Sequence, residues 1–273
     1  MIQIVGRDDV VISGDVAYFE APRLKALGLV NHAFCTRRGS VHGKPHPSAI
    51  LGGGRDQKRS CALLHMESVA NTVGFEPKRL VTMDQIHEDR VWIVDKPLPS
   101  SGRSANCRSD ALLTDQRDIA IGVLTADCVP ILLADPNHAV IGAVHAGWRG
   151  TLLGIARKAL HEMVRCFGTR PEDLVVAIGP SIGECCYEVD EAVMGPLRSS
   201  GWNWQSFSRY KRKGKWHLDL AQANIQQMRD AGMRDERCSW IRICTACNND
   251  ILFSYRAEGT GVGEQISFMQ LRG

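Results

Sequence analysis

The stretch that most restricts the fold is an apolar block in mid-chain. Ile119–Leu124, Val129–Ala134 and Ala139–Val144 each read as a buried strand. Only Thr125–Cys128 and the turn Asp135-Pro136-Asn137 separate them. Connections this short cannot carry a crossover helix, so the neighbouring strands are predicted to be antiparallel.

The rest of the chain fills in around this block. Arg79–Met83, Val91–Val94, Leu174–Ile178, Trp240–Ile243 and Leu252–Tyr255 read as further short strands. Asp56–Val73, Thr151–Phe167 and Asp219–Ala231 show helical spacing of apolar residues, with Gly74, Gly168 and Gly232 as stops. Arg37–Arg55 and Lys96–Ser109 look like loops, but neither has the length or polarity of a domain linker. Helices mixed with antiparallel strands predict an α+β fold, a layered sandwich with a mixed, largely antiparallel β-sheet. The whole chain, residues 1–273, is expected to be a single domain.

Composition excludes several functions. With 44% apolar and 23% charged residues, the chain is neither disordered nor collagen-like. Thirty-three basic against 30 acidic residues give a net charge of +3, too balanced for a nucleic-acid binder. The basic run Arg209–Lys215, near Trp202 and Trp204, reads as a solvated loop. No apolar run reaches the roughly 20 residues of a membrane span. The first 15 residues carry Asp8 and Asp9 and no apolar core of signal-peptide length, so a reduced, cytoplasmic protein is expected. Nothing implies an obligate protein partner. The outlier is ten cysteines beside nine histidines.

Three of these residues stand where strands end. His87 follows Arg79–Met83, Cys128 lies between two apolar strands, and His145 follows Ala139–Val144. If the three apolar strands share a sheet, two imidazoles and a thiolate converge. Two His and one Cys suit zinc and leave its fourth position for water, which the ion makes ionisable near neutral pH. Copper accepts the same donors. A Cys128 nucleophile with His145 or His87 as base is the rival use of these side chains. Spacing alone favours neither over a buried thiol and two histidines satisfied by backbone. After His145, Gly147 and Gly150 flank Arg149 where a helix begins, which is a candidate anion site. Cys244 and Cys247 have zinc-knuckle spacing and Cys185 and Cys186 are adjacent. Vicinal cysteines rarely chelate one ion through both sulfurs, so buried structural thiols are the expectation for these four.

The motifs resemble a known family. Asp84-Gln85-Ile86-His87, Thr125-Ala126-Asp127-Cys128-Val129-Pro130 and His145-Ala146-Gly147-Trp148-Arg149-Gly150 are similar to the signature blocks of the YfiH family. That family was labelled polyphenol oxidoreductase laccase and is described as purine nucleoside phosphorylase. Gly179–Gly183, Cys185–Val189, His217–Leu220, Cys244-Thr245 and Phe253–Arg256 continue the match in the family's order. The resemblance implies a YfiH-like sandwich with zinc on His87, Cys128 and His145. It implies phosphorolysis of purine nucleosides, methylthioadenosine included, and deamination of adenosine.

On that basis His87, Cys128 and His145 are the expected catalytic and metal residues. Arg37, Arg149 and Arg256 are cationic candidates for phosphate, and Asp127 or Glu88 for proton transfer. A copper phenol oxidase, a metal-free Cys–His amide hydrolase and a non-catalytic quality-control factor in peptidoglycan synthesis stand as alternatives. The chain departs from the family pattern at Glu88, where the motif has glycine, in Thr36–Val41 and the loop to Gly54, and at Val262, where it has arginine.

Overall fold

Eighteen strands form three sheets among the described residues of a computed structural model, which covers residues 1–14, 16–41, 44–45, 68–96 and 103–273. The seven-stranded sheet runs β1 (Gln3–Val5), β17 (Cys238–Ile241), β13 (Val175–Ile178), β11 (Val129–Asp135), β12 (Val140–Ala146), β9 (Ala111–Thr114), β7 (Val91–Ile93). The larger sheet runs β2 (Val11–Ser13), β3 (Val16–Phe19), β4 (Val30–Val41), β18 (Gln265–Leu271), β10 (Ala120–Thr125), β6 (Leu80–Asp84), β8 (Arg103–Arg108), with β5 (Lys44–Pro45) paired to β4. A small third sheet joins β14 (Glu188–Val189), β16 (Lys215–Leu218) and β15 (Ser208–Arg212). Antiparallel pairs dominate, with parallel pairs such as β10–β6 and β13–β17 among them. The expected mixed α+β sandwich is the observed architecture.

The apolar block is correct strand by strand and differs in one respect. β11 and β12 are antiparallel neighbours, as their short turn requires. β10 lies in the other sheet, antiparallel to β18. The three strands therefore do not share a sheet, and the link between β10 and β11 crosses the sandwich. The alternating residues explain it. Ile121 and Val123 of β10 and Leu132 and Ala134 of β11 meet in the core between the sheets. Ile131, Leu133 and Val144 face outward under helices, packing on Ile155, Ala159, Leu160 and Met163. Ala120 and Leu124 face a third cluster with Phe75 and Phe268. All three strands are covered on both faces, which is why they read as continuous apolar runs.

Among the described residues the helices are α1 (Pro22–Ala26), α2 (residues 68–73), α3 (Trp148–Leu153), α4 (Ile155–Phe167), α5 (Glu191–Ser199), α6 (Leu220–Asp230) and α7 (Tyr255–Glu258). The helix expected at Thr151–Phe167 is two helices, α3 and α4. Gly154 takes a left-handed φ of 79° and breaks the run; Gly168 ends it at φ 74°. In α6 the Asp219 side chain caps the first turn, accepting from Gln222 N at 2.9 Å. Leu252–Tyr255 is not a strand. The Phe253 N–H bonds to the Gln265 side chain at 2.7 Å, and Ser254 caps α7. The supposed loop at Arg37–Arg55 begins inside β4, and Lys96–Ser109 contains β8. Of the helix expected over Asp56–Val73, the stretch before residue 68 lies outside the described residues.

Candidate metal centre

His87, Cys128 and His145 converge, although their strands come from both sheets. Their ligand atoms all lie within 4.8 Å of one another. Cys128 Sγ is 3.9 Å from His87 Nε2, and the two imidazoles stand edge to face with centroids 4.8 Å apart. His145 lies within β12 rather than after it, on the same face of the strand as Ile141 and Ala143. His87 sits just past β6 at the positive φ of 58°. Cys128 ends the crossing link, after Asp127 at φ 98°. Such φ values are strained for non-glycine residues and need support from their surroundings.

Asp110 supplies that support at His87. Its buried carboxylate accepts the backbone N–H of Ile86 at 3.3 Å, His87 at 3.0 Å and Glu88 at 2.8 Å. The His145 Nδ1–H also donates to it, at 2.8 Å. One carboxylate thus fixes the turn carrying one imidazole and the tautomer of the other, leaving His145 Nε2 free to ligate. At Asp127 the carboxylate accepts Thr245 Oγ1 at 2.5 Å and Arg256 N at 2.7 Å, and its carbonyl accepts Ile182 N at 2.9 Å.

The electrostatics favour a thiolate. Burial opposes ionisation of Cys128, but the positive charge of His145 and hydrogen bonds from both histidines outweigh it and bring the pKa to about 6. Burial likewise opposes charging of His145, while the Cys128 thiolate and Asp110 outweigh it and raise the pKa to about 9. Asp110 also remains ionised, because its hydrogen bonds overcome the cost of burial. Gly147 leaves the space between these groups open. A Cβ there would stand 3.0 Å from His87 Cδ2 and 3.1 Å from Cys128 Sγ. Soft and borderline donors around a cradle that a methyl group would fill fit a zinc- or copper-type ion.

The chain matches the family described as multi-copper polyphenol oxidoreductase laccase over residues 31–272. It belongs to that family. A purine nucleoside phosphorylase of Deinococcus radiodurans is 35% identical over 89% of this chain and 90% of its own length. Purine nucleoside phosphorylase LACC1 of Mus musculus is 29% identical over 96% of this chain, which spans only 60% of that protein. The crystal structure of the Bacillus licheniformis hypothetical protein YfiH superposes with a TM-score of 0.84 at 28% identity, covering 95% of this chain and 97% of that one. The YfiH-like fold and family expected from the motifs are therefore those of this chain.

The three arginines expected to bind phosphate in this laccase-family chain have different surroundings. Arg37 is held inside the fold: its guanidinium pairs with both Glu258 carboxylate oxygens at 2.8 and 3.0 Å, donates to the Asn249 carbonyl at 2.5 Å and lies over Phe253. Arg256 donates to the carbonyls of Cys186 at 3.0 Å and Glu188 at 3.1 Å and lies over the Tyr187 ring. Arg149 is exposed and stacks on Trp148, with no carboxylate partner among the described residues. It occupies the first turn of α3, a helix of only six residues.

Sequence reasoning missed Asp110, the role of Gly147 beside the ligands, and Tyr187. The available signal for Asp110 was a carboxylate entering an apolar strand, Asp110-Ala111-Leu112-Leu113. Tyr187 feels the charges of Cys128, Arg256, Asp127 and Arg149. Burial, aided by the Cys128 thiolate, pushes its phenol pKa up, so it keeps its proton.

Proposed function

We propose that this chain is a cytoplasmic, zinc-dependent purine nucleoside phosphorylase that acts as one YfiH-like domain. Its activities extend to methylthioadenosine phosphorolysis and adenosine deamination. The observation that carries the reading is the His87–Cys128–His145 set anchored by Asp110 around the open space at Gly147. The names of the Deinococcus and mouse relatives supply the substrate class.

Zinc, when bound by those three residues, would contribute a Lewis acid and lower the pKa of a coordinated water. The remaining work falls to the chain. Asp110 holds both imidazoles in ligating orientation. Tyr187 keeps its hydroxyl proton and donates a hydrogen bond to the substrate. In phosphorolysis, phosphate oxygen forms a bond to the ribose anomeric carbon as the glycosidic C–N bond breaks, and the departing purine nitrogen takes up a proton. Arg149 is the cation placed to hold the phosphate, because the Arg37 guanidinium is paired with Glu258 and Arg256 is anchored through Nη1 on two backbone carbonyls, whereas Arg149 has no carboxylate partner among the described residues. Of the two acidic candidates, Asp127 is occupied by Thr245 and Arg256, whereas Glu88 is exposed, has no side-chain partner among the described residues and is the proton carrier for deamination.

One assay tests this. Purified zinc-loaded protein is incubated with adenosine, with and without phosphate, and adenine, inosine and hypoxanthine are followed. Adenine should form only with phosphate, and inosine in either condition. No product in either condition, with zinc bound, excludes the reading.

The second reading rests on the order Asp110–His145–Cys128, which is also that of a cysteine hydrolase triad. It requires amide hydrolysis that survives chelation and a covalent adduct on Cys128. The copper oxidase alternative requires phenol oxidation by copper-loaded protein.

A further inference from the structure

A second set of metal-binding side chains gathers away from His87, Cys128 and His145. Cys185, Cys186, Cys244 and Cys247 bring all four Sγ atoms within 4.8 Å of one another. Cys247 Sγ is 3.5 Å from Cys185 Sγ and 3.3 Å from Cys186 Sγ. The expectation of buried, inert thiols does not hold. Cys185 and Cys247 are exposed, and Cys186 and Cys244 are half-buried.

The backbone accounts for the convergence. After β13 the chain lies alongside the segment following β17: Ser181 pairs with Cys244, and Thr245 N donates to Ser181 O at 3.0 Å. A tight turn follows, closed by Cys186 N and Tyr187 N on the Gly183 carbonyl, both at 3.0 Å. That turn swings both vicinal sulfurs toward Cys247, which removes the objection to an adjacent pair. Asn248 N on Cys244 O at 3.1 Å closes the second turn, that of the C-x-x-C segment. Gly183 N donates to Cys244 Sγ at 3.2 Å. A side chain at Gly183 would press on the cluster, because its Cβ would lie 3.2 Å from Cys244 Cβ and 3.3 Å from Cys185 Sγ.

We propose that Cys185, Cys186, Cys244 and Cys247 form a closed, structural four-thiolate site for a soft divalent ion, zinc foremost. A zinc–sulfur bond of about 2.3 Å gives a tetrahedral edge of about 3.8 Å; the Cys247 sulfur lies slightly inside that distance from Cys185 and Cys186, at 3.5 and 3.3 Å, and all four sulfurs lie within 4.8 Å of one another. A disulfide would use two of the sulfurs and leave the convergence of the other two without a purpose. Binding releases the thiol protons to solvent and leaves an anionic site, beside which Arg256 is fixed on the Cys186 carbonyl. The ion staples the loop after β13 to the turn after β17. Both segments hold Asp127, through Ile182 N and Thr245 Oγ1, and Asp127 precedes the catalytic-site ligand Cys128. The staple therefore supports the strained link that presents that thiolate.

The test is metal content in the full chain, purified with zinc supplied. The double variant His87→Ala/His145→Ala should retain one metal equivalent. Adding Cys244→Ser and Cys247→Ser should remove it. A double variant that is folded by circular dichroism yet metal-free overturns the proposal. Thiol mapping in the unsubstituted protein gives an answer independent of variant folding. Cys185, Cys186, Cys244 and Cys247 should resist alkylation together when zinc is bound and become reactive together after chelation. Equal labelling of these four in the two states overturns the proposal.

Discussion

Asp110 decides more of the centre than any ligand does, because four donors converge on one buried carboxylate. Asp110→Asn keeps the shape but removes the charge that holds the His145 Nδ1 proton. Metal affinity should fall about 10–100-fold, measured by titration against a competing chelator, with the circular dichroism unchanged. An unaltered affinity would mean that His145 needs no orientation from it. The thiol titration gives a second residue-level prediction, for metal-free protein. Cys128 has its pKa lowered to about 6, so its thiolate persists as pH falls to that point and is lost below it. Its alkylation rate should rise through about pH 6. In His145→Asn the rise should move toward the ordinary thiol range, because the charge that lowers the pKa is gone. By contrast, burial pushes Cys35 and Cys238 up to about 12, so they should stay unlabelled in the same mass map. The convergence of the three candidate ligands was legible because each sits in a short motif near a strand end. Asp110 was not, since its importance lies in contacts with residues more than 20 positions away.

At the scale of elements, the strands were read within a residue or two wherever both faces are buried, as in β10, β11 and β12. Pairing was harder to see. The residues Thr125–Cys128 suit a hairpin as well as a crossing, and it is the pairing of β10 with β18 and β6 that puts it in the other sheet. The break between α3 and α4 was hidden because the apolar spacing continues through Gly154. What the junctions contribute to the centre is testable at the turn from β12 into α3. Gly147→Ala places a methyl group 3.0 Å from His87 and 3.1 Å from Cys128 without demanding an unusual backbone, since φ is −75°. The fold should persist, with the unfolding midpoint of metal-free protein changed little, while zinc at this centre is lost. Full zinc occupancy in Gly147→Ala would show that the ligands shift without cost and that the cradle is not the reason for glycine.

Across the whole molecule, the candidate centre draws on both sheets of the sandwich. His87 hangs from β6 in the larger sheet, His145 belongs to β12 in the seven-stranded sheet, and Cys128 terminates the link between them. An ion held by all three binds the assembled sandwich and not the separated sheets, so its affinity adds to stability by mass action. Free metal at a hundredfold excess over Kd contributes about 2.7 kcal/mol. For a chain of this size that corresponds to a rise in Tm of roughly 5–10 °C. Scanning calorimetry of zinc-loaded and chelator-treated protein measures the rise, and His87→Ala isolates the share that belongs to this clamp. Metal held by the four cysteines stays in that variant, so the two contributions separate. The zinc-dependent rise should be smaller in His87→Ala by an amount that grows with the logarithm of free zinc. An identical rise in both proteins would mean that the ion does not join the sheets, and that the two histidines and the thiolate meet without holding the sandwich closed.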